Sequence, residues 1–168
     1  MVKALIILGE FVILFLAVWC ITFISLTAHE LGHAFAYTLA TRDNDWTIRV
    51  GNGKKLLETK RFIIKLVVFT GCFQPKTERH GSGRNTVIML IGGPLVSFFL
   101  VVVLSVIRFL INIETSNSLS ISAIYFLLNY SLIHNLLLFI TSVLPIKTNW
   151  PIRGYVSDGY KIRKILSE

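Results

Sequence analysis

Carboxylates are scarce in this chain, with nine Asp and Glu against seventeen Lys and Arg in 168 residues and a formal net charge of +8. An acid in an unusual position therefore calls for a reason. Cysteine is scarcer still: Cys20 falls in an apolar run and Cys72 in a distant polar connection, which excludes a disulfide framework. Neither an internal repeat nor a low-complexity tract is present, so the chain is not organised as a repeat array or a disordered tail. What it has in excess is apolar residues, 54% of the total, with a mean hydropathy of +0.68. Soluble domains hold about 45–50% on a broader definition. An integral membrane protein is the expectation, and at roughly 20 residues per crossing the chain has room for one domain with a few passes.

The sequence predicts a membrane α-helical fold with a three-helix transmembrane core. The first span runs from Ala4 to about Leu31, interrupted only by Glu10, and its helical pattern continues to Ala40. The second covers about Thr86 to Ile111 and the third about Leu119 to Leu144. With Lys3 and Glu10 at one interface, a rise of about 1.5 Å per residue brings His29 and His33 near the other. A cleaved signal peptide would have an apolar region of about 7–15 residues ending in small residues, and this run is longer. Basic residues set the orientation. Ten of them, from Arg42 to Arg84, lie between the first two spans and five more in the tail 147–168, whereas Lys3 stands alone before the first span and the loop 112–118 has none. The positive-inside rule places the first connection and the tail in the cytoplasm, with the N-terminus outside the cell membrane. The net charge then reports topology and attraction to anionic lipid, and no nucleic-acid partner is needed to explain it.

Residues 45–73 differ in character. Trp46, Ile48 and Val50 alternate with polar residues, Gly51-Asn52-Gly53 supplies turn chemistry, and Phe62 to Phe69 is rich in β-branched and aromatic residues. A small β-hairpin or sheet is expected there, lying at the cytoplasmic membrane surface because its apolar run is too short to cross. A polar loop from Gln74 to Asn85 leads into the second span.

The first span ends in HELGH, His29 to His33. Residues four apart share a helix face, so both histidines can bind one metal ion, usually zinc, with Glu30 as general base of a peptide hydrolase. Ionisable residues at the end of an apolar helix mark a functional site by default. A catalytic zinc site takes three protein ligands and keeps one open position. Glu58 sits in a basic hairpin, His80 in a polar loop, and His134 beside Asn135 in the third span, where hydrogen bonding between helices is expected. Asp158 is the best candidate, as the only carboxylate in the tail before Glu168, and Gly159 beside it allows a close backbone approach.

HELGH after an apolar helix, IGGPLVS in a second helix, and SVLP followed by SDG after a third resemble the site-2 protease family of intramembrane zinc metalloproteases, as do VGNGKKL and FTGCF in the connection. The resemblance covers nearly the whole chain. It implies zinc ligands at His29, His33 and Asp158 and a catalytic glutamate at Glu30. It also implies cleavage of membrane-embedded or membrane-adjacent peptides at the cytoplasmic side. The chain departs from the family's pattern at Ser97 and Ser142, where the family has asparagine, and in the insert IKTNWPIRGYVS before Asp158. These two serines are expected to take over part of the substrate contact. A helical substrate must be extended before hydrolysis, and an edge at Phe62 to Phe69 is expected to receive it as an added strand. The substrate is thus a membrane protein or peptide, and the bilayer is the other partner. The alternative is a non-catalytic membrane scaffold that binds peptides or partner helices, for which Glu30 has no use. A metal transporter would need further ligands across the membrane, where only His134 is available.

Overall fold

The computed structural model describes residues 2–76, 83–111, 119–149 and 154–167, so His80 and the loop 112–118 lie outside the described residues. Helix α1 (Val2–Thr41) is followed by strands β1 (Trp46–Glu58) and β2 (Phe62–Pro75), helices α2 (Gly83–Leu110) and α3 (Leu119–Val143), strands β3 (Lys147–Thr148) and β4 (Tyr155–Val156), and helix α4 (Asp158–Leu166). Helices α1, α2 and α3 are long and apolar enough to cross a membrane. The most apolar window of α2 is 28% buried, against 6% for α1 and for α3, which makes α2 the helix most enclosed by the others.

Inside α1 the hydroxyls of Thr22 and Thr27 donate to the carbonyls of Val18 and Phe23, so polar side chains are satisfied without leaving the helix. Arg42 ends the helix in the left-handed region at φ 55°, with its N–H on the Thr38 carbonyl. Asp43 fixes the exit by accepting from the Tyr37 hydroxyl and the Asp45 N–H.

Trp46, Ile48 and Val50 are buried, as their alternation predicts, and form one core with Leu26, Ala34, Tyr37 and Val68. The sheet itself differs from expectation in two ways. Gly51 and Gly53, at φ 89° and 78°, bend β1 without reversing it, and a Cβ on Gly51 would press on the Lys65 and Val67 carbonyls. The reversal comes at Thr59, which exchanges main-chain and hydroxyl hydrogen bonds with Phe62. The bend lets Ile48, Arg49 and Val50 pair twice, with Phe73, Cys72 and Gly71 on one edge and Phe62, Ile63 and Ile64 on the other. Ile63 and Ile64 also pair with Glu58 and Leu57. The start of the run Phe62 to Phe69 is therefore interior to the sheet. Among the described residues, two sides lack a strand partner, one belonging to 71–75 and the other to 54–58.

Helices α1 and α2 meet backbone to backbone at Gly32 and Gly92, where a Cβ on either glycine would strike the other's main chain. Between α1 and α3, Asn135 donates to Ser25 at 3.0 Å, the hydrogen bond between helices expected at that position. Its neighbour His134 stacks on Tyr130 and its Nε2 finds no partner, because its ring lies along its own helix. Ser157 caps α4 and also clamps it to the end of α3: it donates to the Leu144 carbonyl at 2.6 Å and accepts from the N–H of Ile146 and Tyr160. Gly159 follows against the Val143 carbonyl, where no side chain would fit.

Candidate metal centre

Helical spacing puts His29 and His33 on one face of α1, their rings edge to face with centroids 5.0 Å apart. Ser157 and Gly159 bring the first residue of α4 against that face. Asp158 Oδ2 lies 3.3 Å from His33 Nε2 and 3.8 Å from His29 Nε2. Charge-assisted hydrogen bonds run at about 2.7–2.9 Å. Two ligands on one tetrahedral ion at about 2.0–2.1 Å stand roughly 3.3 Å apart, so the spacing suits shared coordination better than direct pairing. All three ligand atoms fall within 4.8 Å of one another, and the group can hold a metal ion. Glu58 and His134 are not part of it.

The other nitrogen of each imidazole is engaged. His33 Nδ1 is 2.8 Å from the Met89 carbonyl, which only accepts, so that nitrogen carries the proton and its Nε2 offers the lone pair, while His29 Nδ1 is 2.8 Å from Ser97 Oγ, a hydroxyl that can take either role. The Gly93 N–H approaches the same His33 nitrogen at 3.3 Å, a longer contact that loses to the carbonyl. Gly93 also leaves space at the ligand atoms, since a Cβ there would run into both imidazoles. Ser97 is wholly buried and paired with His29, so its hydroxyl orients that imidazole. Ser142 Oγ lies 3.4 Å from His29 Nε2 and is buried as well.

Glu30 is buried beside the ligands, and the Phe73 main chain hydrogen-bonds its carboxylate. Gly71 lets the sheet come this close, because a Cβ there would collide with the Glu30 side chain. A cavity of about 700 Å³ opens over the histidines, Glu30 and Asp158, with Arg49, Thr141, Tyr155 and Lys161 on its walls. The Tyr155 phenol is pushed above its ordinary value by burial and by the Asp158 charge. A second groove of about 770 Å³ lies between α2, α3 and α4 and is lined mostly by apolar side chains, so it offers no hydrolytic chemistry.

The roles of Ser97, Gly93, Gly71 and Ser157 escape a reading of local motifs, since each acts on a residue far away in sequence. Scarcity of polar residues within the apolar helices was the available signal for Ser97. No family model matches the chain, and no curated protein or solved structure matches it either.

Proposed function

We propose that this chain is an intramembrane zinc metalloprotease of site-2 protease type, cleaving membrane-embedded or membrane-adjacent peptides at the cytoplasmic side. One observation carries the reading: two imidazole nitrogens and one carboxylate converge at the end of an apolar helix, with the buried carboxylate of Glu30 beside them. Two neutral imidazoles and one carboxylate are a donor set that suits zinc and leaves a fourth position open. His29, His33 and Asp158 would hold it. Bound there, zinc would supply the Lewis acidity that brings the pKa of a water to about 7. Glu30 takes the proton of the attacking water and hands it to the leaving amide nitrogen. Phe73 holds the Glu30 carboxylate in place for both transfers.

Three apolar helices support insertion in the bilayer, and the basic residues of the first connection and of the tail support a cytoplasmic site. The partnerless side of 71–75 lies next to Glu30 and favours an extended substrate there. The test is cleavage of a model membrane peptide by detergent-purified protein, with and without a chelator. Cleavage that stops with chelator, returns with zinc and is absent from Glu30→Gln supports the protease. Zinc-independent or Glu30-independent cleavage, or none at all, refutes it and leaves the scaffold.

A further inference from the structure

Building on the protease reading, we infer that Tyr155 is a catalytic residue whose hydroxyl donates a hydrogen bond to the oxygen of the scissile carbonyl. Three observations lead there. Tyr155 stands on the wall of the cavity that holds Glu30, His29, His33 and Asp158. Its backbone is fixed by the β3–β4 pairing of Thr148 with Tyr155, and Asp158 follows three residues later behind the Ser157 clamp, so one short segment places both a ligand and the phenol. The third is the state of the neighbouring donors. Lys161 is tied to Asp158 Oδ1, Ser142 faces His29, and the Thr141 hydroxyl gives its proton to the Leu137 carbonyl at 2.7 Å. Tyr155 rests on Thr141, the residue just before Ser142, and its O–H can turn from that oxygen to a substrate without leaving any charge unpaired.

Charge develops on the carbonyl oxygen as water adds, and a fixed donor aimed there strengthens its bond in the transition state more than in the ground state. No proton leaves Tyr155 and no covalent bond to it forms. A phenol, with an ordinary pKa of about 10, stays protonated at neutral pH.

The experiment compares wild type, Tyr155→Phe and Tyr160→Phe. For Tyr155→Phe, kcat falls about 100-fold or more with little change in KM, the loss typical of one donor to a developing oxyanion. Affinity for a phosphonamidate peptide, whose anionic tetrahedral phosphorus imitates the charged centre, falls in parallel. Zinc content, and affinity for the uncleaved peptide measured in a Glu30→Gln background, stay unchanged. Tyr160→Phe removes a phenol of the same segment that does not line the cavity, and stays within about 3-fold of wild type on every readout, under 1 kcal/mol. Phosphonamidate affinity unchanged in Tyr155→Phe overturns the inference, as does a loss carried by zinc content or KM. An equal loss in Tyr160→Phe also overturns it, by reducing both phenols to packing. A wild type that holds zinc but neither cleaves nor binds the phosphonamidate overturns the protease reading, and this inference with it. Wild-type cleavage matched by Tyr155→Phe overturns this inference alone.

Discussion

The two halves of α1 are one continuous helix and both are apolar, yet they behave differently. From Leu5 to Leu16 the large side chains other than Leu14 lie 50–70% exposed, Phe11, Ile13 and Phe15 among them. From Ser25 onward the same helix buries Leu26, His29, Glu30, His33, Ala34 and Tyr37 against the sheet, α2 and α3. An exposed apolar surface this large marks contact with something other than water, and at this length a bilayer fits. The first half has no such cover. The second is covered by protein on one face, while Leu31, Phe35 and Leu39 stay exposed on the other, and its His29, Glu30 and His33 lie on the covered face, where neighbouring elements supply their partners.

The sharpest way to break this comparison is at Glu30. Glu30→Gln keeps the size of the side chain and removes the base, so peptide cleavage falls by about 100-fold or more with zinc retained, measured by turnover and elemental analysis. Gly93→Val comes next. Its side chain occupies the space of both imidazoles, and zinc affinity measured by chelator competition drops at least as far as in Ser97→Ala. For Ser97→Ala itself, loss of the hydrogen bond to His29 Nδ1 lowers that affinity about 10- to 100-fold, whereas Ser97→Thr, which keeps the hydroxyl, loses less. Asn135→Leu removes a hydrogen bond between α1 and α3 and costs about 0.6–2 kcal/mol in steric-trap unfolding, leaving zinc content intact. Smallest of all is Ile13→Ala in the lipid-facing half, within about 0.5 kcal/mol by the same measurement. A cost for Ile13→Ala equal to that of Leu26→Ala would abolish the distinction between the halves.

Much of the fold was legible because it is local. Long apolar runs announce the three helices, and i,i+4 spacing announces the paired histidines. Asp158 stood out through the shortage of acids in the tail, and the structure does bring it to the histidines. What stayed hidden depends on distant contacts. Gly51 and Gly53 carry the composition of a turn but serve as a bend, since β2 returns along both edges of the first part of β1, and no local pattern encodes that pairing. Ser97 looks like a stand-in for a substrate-binding residue, and only the structure places it against a histidine 68 positions away, whose ring it orients. His134 is expected to hydrogen-bond between helices, yet it stacks on Tyr130 of its own helix, and among the described residues its Nε2 has no partner.

The central claim is that His29, His33 and Asp158 together hold zinc, and elemental analysis of the purified protein beside Asp158→Ala and Glu30→Gln tests it most directly. The account predicts near-stoichiometric zinc in wild type and in Glu30→Gln, and a clear loss in Asp158→Ala. Wild type without zinc, or Asp158→Ala with undiminished zinc, would contradict it.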